Sequence, residues 1–251
     1  MLAGCATGPK ANPADPLEPM NRAVYKFNDA VDGAVLKPVA TGYKAVVPSP
    51  IRTGVSNFFS NLGDVWSLVN QILQFEFSYA GQTAARLGLN TFLGLGGFLD
   101  IATEAGLQPP KADLGQTFGK WGVPSGPYVM LPLLGPSSVR DGVGTVTATY
   151  HDPVNRVSDN ATRNVLTVTR IVDVRTRLLG ATDAVDEIAL DKYSFIRDVY
   201  LKRRQNQISP QKPANEDDID YSADDPAKPI PDQSIPKLPP IPITLPSIIL
   251  K

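Results

Sequence analysis

Asn57-Phe-Phe-Ser-Asn-Leu-Gly-Asp-Val-Trp-Ser-Leu-Val-Asn-Gln-Ile-Leu73 is the stretch whose periodicity decides the fold. Phe58, Phe59, Leu62, Val65, Trp66, Val69, Ile72 and Leu73 recur at the 3.6-residue period of a helix, and Asn61, Asp64, Asn70 and Gln71 take the opposite side. The segment that follows, Leu87 to Ala102, is almost wholly apolar and carries Gly88, Gly94, Gly96 and Gly97. Its 16 residues fall short of the roughly 20 that a bilayer-crossing helix needs, and its glycines lower helix propensity, which disfavours a simple transmembrane span. Between Val65 and Leu99 only Glu76 and Arg86 are charged, in a chain that is 20% charged overall. Two arrangements explain such a composition. One is a buried hairpin at the centre of an ordinary helical core. The other is a set of helices lying within a bilayer with their apolar sides toward lipid, where hydrocarbon excludes charge.

Working outward, the pattern remains helical. Pro19 follows Glu18 where a first helical turn tolerates proline, and Met20, Val24, Phe27 and Val31 form one apolar stripe. A second helix is expected over Ala34 to Val47, interrupted at Pro38 and ended before Pro48. Residues Gln108 to Gly144 are rich in glycine and proline and exclude one long regular element, while Trp121, Tyr128 and Met130 argue that the segment is packed. No Gly-x4-Gly-Lys-Ser/Thr phosphate loop is present. A further helix is expected from an N-cap at Asp159 to Leu179, with Gly180 as its stop. On it Arg163, Arg170 and Arg177 recur every seven residues and share one side, opposite Val165, Val168 and Val172. That side is either an ordinary solvated face or a basic stripe toward lipid phosphates or a polar passage, where guanidinium groups bond bidentately. The last helix is expected from Asp183 to Arg204, with Asp183, Asp186 and Glu187 at its start and Lys202, Arg203 and Arg204 at its end, as the helix dipole favours.

Bulk properties narrow the function. With 251 residues the chain can bury a sizeable core. One cysteine excludes an internal disulfide or a cysteine-based zinc cluster, and one histidine excludes a site needing two. A Ser-His-Asp triad could use only His151, and no Gly-x-Ser-x-Gly is present, so neither a catalytic residue nor a cofactor is expected. Neither the near-neutral body nor the acidic tail has the concentrated basic surface that nucleic acid requires. The lone cysteine follows Leu2-Ala3-Gly4, the ending of a bacterial lipoprotein signal peptide, so Cys5 is expected to carry a lipid anchor. From residue 205 onward, ten prolines fall in 47 residues around an acidic run, and this tail is expected to be disordered. Its last apolar stretch, Leu238 to Leu250, alternates with prolines in a form that could dock on a partner.

Several motifs together carry a resemblance: Asp15-Pro-Leu-Glu-Pro-Met-Asn-Arg22, Asn57-Phe58, Asn90-Thr-Phe-Leu-Gly-Leu-Gly-Gly-Phe-Leu-Asp100, Gly115-Gln-Thr-Phe-Gly119, Gly126-Pro-Tyr128 and Arg140-Asp141. In kind and order they resemble the MlaA (VacJ) family over about residues 15–204, leaving 1–14 as lipobox remnant and linker and 205–251 as tail. The resemblance implies an all-α, ring-like domain lying in the inner leaflet of a Gram-negative outer membrane around a polar channel. It implies removal of mislocalised phospholipid from the outer leaflet, delivery to the periplasmic carrier MlaC, and association with a trimeric porin. It also implies channel or gating roles for Asn57 and Phe58 and for the loop holding Trp121, Gly122, Pro124, Ser125 and Gly126. Pro124 restricts that loop where some relatives have more glycine. A porin-associated structural lipoprotein and a lipid hydrolase are the competing functions.

Overall fold

The computed structural model describes residues 12–209; Cys5 and the tail from 210 on, with Leu238 to Leu250, lie outside the described residues. Helix α1 (Glu18–Val31) begins with Pro19 in its first turn. It runs through a π-helical turn, Asp32–Leu36, directly into α2 (Lys37–Val46). The expected break at Pro38 does not occur. The π turn widens the helix just where the proline ring would meet the preceding carbonyls, so the chain continues. After Pro48 the long α3 (Ser49–Leu73) follows, and α4 (Phe77–Gly88) folds back against it.

Leu87 to Ala102 is not one element. It comprises the end of α4, a second π turn (Leu89–Leu93), a glycine loop and the start of the short α5 (Ile101–Glu104), which Asp100 caps by accepting from the Thr103 N–H. No helix among the described residues is long and apolar enough to cross a membrane. The glycine- and proline-rich region resolves into α6 (Leu114–Lys120), an antiparallel hairpin of β1 (Tyr128–Leu131) and β2 (Gly135–Ser138), and α7 (Val139–His151). His151 therefore ends a helix and does not sit in the turn its neighbours Asp152-Pro153 suggest.

Gly180 does not stop its helix. α8 spans Asn160–Ile188 with Asp159 as N-cap, and α9 spans Lys192–Ile208, four residues past the expected end at Arg204. Asp183 and Asp186 thus lie near the C-terminus of α8, where the dipole disfavours them. Lys37 lies 2.8 Å from Asp183 and Lys192 lies 2.6 Å from Asp186, supplying the compensating charge.

The elements contact one another in a closed circuit. α1 lies on β1, β2 on α7, α7 on α6, α6 on α3, α3 on α8, and α8 on α2, which returns through the π turn to α1. The apolar centre beside this circuit is small: Tyr128, Met130 and Tyr193, with Val24, Tyr25, Tyr200 and Leu201 packed against them.

Most of the buried side chains among the described residues are polar instead. On α3 the side chains turned inward are Asn61, Asp64, Ser67, Asn70 and Gln71, while Val65, Val69 and Ile72 are exposed. Each inward group makes at least one hydrogen bond: Asn70 accepts from Thr117 Oγ1 at 2.8 Å, and Gln71 donates to the Pro110 carbonyl at 2.8 Å, while the Asn61 Oδ1 and Gln71 Oε1 oxygens have no partner among the described residues. α1 behaves alike. Its buried residue is Asn21, which donates to Asp15 and to the Tyr128 carbonyl and accepts from the Met130 N–H at 2.8 Å, while Met20 and Phe27 are exposed. The hydrophobic hairpin core is therefore not what the charge-poor region forms. Phe92, Leu93 and Leu95 stand outward, Phe92 with 85% of its surface exposed.

Candidate functional site

A cavity of about 720 Å³ opens where α3, β2, α7, α8 and α9 converge. Its charged lining is Asp113, Asp141 and Asp152 with Arg170, Arg203 and Arg204; Leu62, Trp66 and Ile171 supply apolar wall. Arg204 organises one side. Its two terminal nitrogens grip Asp113 at 2.6 and 2.9 Å, and its Nε donates to Asp141 at 2.8 Å. Tyr200 and Arg140 also donate to Asp141, at 2.5 and 3.0 Å. Burial alone pushes the Asp141 carboxyl up, but the bonds from Arg204, Tyr200 and Arg140 outweigh it and hold the group at about 2.

The sign follows from that depression: the stabilisation is complete above the ordinary carboxylate range and disappears as pH falls from about 4 toward 2. We expect the native protein to lose about 2 kcal/mol over that interval through Asp141. Asp141→Asn should lose stability already at pH 7 and show a flatter acid limb, measured by urea unfolding at pH 7, 4 and 3 in one detergent. Equal acid limbs in both proteins would remove the assignment.

On the far wall Arg170 pairs with Asp152 and lies 5.9 Å over the Phe59 ring. His151 stacks on Trp66 with ring centroids 6.0 Å apart and planes 11° from parallel, its Nδ1 3.0 Å from the Thr147 carbonyl oxygen. The Trp66 Nε1 is buried and has no partner among the described residues. At Gly144 α7 meets α6 backbone to backbone: a Cβ there would sit 2.7 Å from the Gly115 nitrogen.

The residues expected from the sequence are only partly brought together. Arg170 reaches the cavity, but Arg163 is engaged by Asn160 and the Val157 carbonyl, and Arg177 is exposed beside Asp173. The three do share a side. At 1.5 Å rise per residue, though, a 14-residue stripe spans about 21 Å, and the cavity covers only part of it. Asn57 donates to the Phe98 carbonyl at 3.2 Å and so braces the glycine loop, Phe58 meets Phe59 edge-on, and neither lines the cavity.

The loop of Trp121, Gly122, Pro124, Ser125 and Gly126 is likewise outside the lining. Gly122 and Gly126 hold φ of 90° and 69°, a region glycine enters without strain. Trp121 Nε1 donates to the Leu73 carbonyl at 3.0 Å. Arg140 ties the loop to the cavity: its backbone N–H bonds the Ser125 carbonyl, its guanidinium bonds the Val123 carbonyl at 3.1 Å, and its Nε bonds Asp141. Arg203, Arg204 and Asp113 escaped the sequence reading, which placed the cations at a solvated helix end. Arg175 also escaped it; this buried side chain grips Asp32 at 2.5 and 2.7 Å and pins α8 to the first π turn.

The outside of the same region is apolar. Phe75, Phe77, Phe92 and Leu95 are exposed, as are Val165, Val168 and Val174 along α8. Exposed apolar surface on this scale marks contact with lipid or with another protein.

A family model described as MlaA lipoprotein matches residues 13–207. The chain is 33% identical over 227 residues to the intermembrane phospholipid transport system lipoprotein MlaA of Escherichia coli strain K12, covering 86% of this chain and 89% of that one. It is 31% identical to the protein of the same name from Haemophilus influenzae, covering 84% of this chain and 87% of that one. A solved structure, from work on the structural basis for maintenance of bacterial outer membrane lipid asymmetry, superposes with a TM-score of 0.67 at 33% identity, covering 77% of this chain and 98% of that one. With the family model spanning most of its length and the helical architecture shared, this chain belongs to the MlaA lipoprotein family.

Proposed function

We propose that this protein removes mislocalised phospholipid from the outer leaflet of an outer membrane through a polar channel and passes it to a periplasmic carrier, as a lipoprotein that helps maintain lipid asymmetry and performs no covalent chemistry. The observation that carries this reading is a cavity lined by Asp113, Asp141, Asp152, Arg170, Arg203 and Arg204 in a molecule whose exterior is apolar, α3 burying its polar side and exposing Val69 and Ile72. A molecule with a zwitterionic or anionic head and hydrocarbon tails suits both surfaces. The head gains charge-assisted contacts within the cavity while the tails stay out of water. In this reading Cys5 carries the lipid anchor on the periplasmic side, mislocalised lipid enters from the outer leaflet, a MlaC-like carrier accepts it, and a trimeric porin holds the apolar flank. Arg170 is the stripe residue we assign to phosphate. Asn57, Phe58 and the loop from Trp121 to Gly126 are assigned to control of access, the loop acting through Arg140. Direction comes from the carrier, since a passive passage only obeys the gradients at its ends.

The test is reconstitution of the acylated protein with labelled phospholipid in one leaflet, followed by mass spectrometry of lipid on a purified MlaC-like carrier. Intact phospholipid on the carrier, dependent on this protein, is the expected result. Stable binding of carrier without transfer would replace transport by scaffolding, and lysophospholipid would replace it by hydrolysis. In the same vesicles, Val69→Asp with Ile72→Asp should cut membrane insertion at least about tenfold, since a charge in hydrocarbon costs up to about 3 kcal/mol.

A further inference from the structure

Beside the main cavity runs a second, more open groove of about 620 Å³, within the range of about 300–1,000 Å³ typical of ligand sites. The two are continuous: Leu134, Thr145, Thr149 and Asn155 line both. Val146 and Tyr150 give the groove an apolar floor, and both are largely exposed, as is Leu134. Arg156 closes one end, its guanidinium 5.7 Å from the centre of the Tyr150 ring. Among the described residues Arg156, like Arg203 of the main cavity, has no carboxylate partner, whereas Arg170 and Arg204 of that cavity are committed to Asp152, Asp113 and Asp141. The leucine end of the groove is held deliberately. Leu133 adopts a φ of 61°, costly for a branched side chain, and Asn28 fixes it by accepting from the Leu133 N–H at 2.8 Å and donating to the Leu131 carbonyl at 3.0 Å. The hairpin tip therefore presents Leu133 and Leu134 outward instead of packing them.

From this juxtaposition we propose that the groove is a side berth of the cavity for one phospholipid, with an acyl chain along Leu134, Val146 and Tyr150 and the phosphate on Arg156. It rests on the transport reading and extends it: lipid reaches the charged cavity from the side, between hairpin and α7. An apolar floor ending in an uncommitted guanidinium matches a tail joined to a phosphate and matches neither a plain hydrocarbon nor a free anion.

The experiment places a photo-crosslinking benzoylphenylalanine at Val146 in the full-length acylated protein, in vesicles of phosphatidylethanolamine and phosphatidylglycerol, with mass spectrometry of the adduct. A second probe at Val168, on the outer face of α8, reports general lipid contact. Crosslinked phospholipid at 146 should fall about tenfold in Arg156→Glu, the loss of one charge-assisted contact. It should recover in Arg156→Lys, and the yield at 168 should stay constant. A diacylglycerol probe lacking phosphate should crosslink poorly at 146. No phospholipid adduct at 146, an adduct indifferent to Arg156, or equal capture of diacylglycerol would each overturn the berth. Transfer to the carrier is scored in the same preparation: transfer without a berth adduct sinks this proposal alone, whereas absence of transfer sinks the transport reading itself.

Discussion

Arg86→Met should destabilise the protein by about 3–5 kcal/mol, the penalty for breaking a buried ion pair and stranding its partners. Arg86 is one of only two charges between Val65 and Leu99, and the structure shows what it does there. Its Nε donates to Asp64 at 3.1 Å, one terminal nitrogen donates to Thr103 and the Leu107 carbonyl, and the other donates to Asp100 at 2.7 Å. Asp64 is 1% exposed and, among the described residues, has only Lys111 as a further cation. Burial pushes the Asp100 carboxyl up, but bonds from Thr103, Arg86 and Asn90 hold it at about 2. Removing the guanidinium leaves the buried Asp64 and the half-buried Asp100 under-compensated. For a domain of this size that corresponds to a melting point lower by about 6–20 °C. Arg86→Lys should restore only a fraction, because one ammonium cannot reach Asp64, Asp100, Thr103 and the Leu107 carbonyl together. A melting point within about 2 °C of the native value in Arg86→Met would show that the network does not hold α3, α4 and α5 together.

Gly144→Val is the second large effect, expected to cost about 3 kcal/mol or more, at or beyond the upper end of ordinary overpacking. The obstructing atoms are backbone: the Gly115 nitrogen at 2.7 Å, and the Gly115 Cα and the Leu114 carbonyl carbon at 3.3 Å. A side chain could swing aside, but here α6 and α7 must separate, carrying Asp113 and Asp141 away from the Arg204 that joins them. Gly144→Ala should already cost about 1–2 kcal/mol. Gly142→Ala is the control, because its Cβ would meet only the Ser137 hydroxyl at 3.7 Å, ordinary contact, and its melting point should be unchanged or slightly raised. The contrast between two glycines of one helix, followed by thermal unfolding and limited proteolysis, separates a steric cause from loss of glycine as such.

The helices were legible where apolar spacing was long and regular, as in α3, and where a capping side chain such as Asp159 announced a start. α6, the hairpin and α7 were not, since short elements between glycines and prolines leave no periodic run to read. The α8–α9 boundary was misplaced because Gly180 reads as a stop by propensity, while tertiary contacts through Arg175 and Leu179 carry the helix past it. Binary pattern showed that α3 has two faces but could not say which faces inward. That depends on the surroundings, and only the inward hydrogen bonds of Asn70, Gln71 and Asp64 settle it. The cavity was half legible: Arg170 came from heptad spacing, but Arg204 is brought to Asp113 and Asp141 across 91 and 63 residues of chain, a distance no local pattern spans. Arg140 and Asp141 were visible as a motif without a role, and the structure supplies it.

The inverted α3 also redraws the map of which mutations the protein survives. In a water-soluble domain the interior demands jigsaw fit and the surface accepts nearly anything polar. Here the outward positions Val69 and Ile72 are largely exposed, so on the transport reading they can drift among hydrocarbon side chains while refusing charge. The inward positions refuse isosteric apolar replacements that an ordinary core would welcome, because Asn61, Asp64, Asn70 and Gln71 answer to donors and acceptors rather than to volume. Substitution data from such a protein, scored with the habits learned from soluble folds, would label its interior as surface and its surface as core.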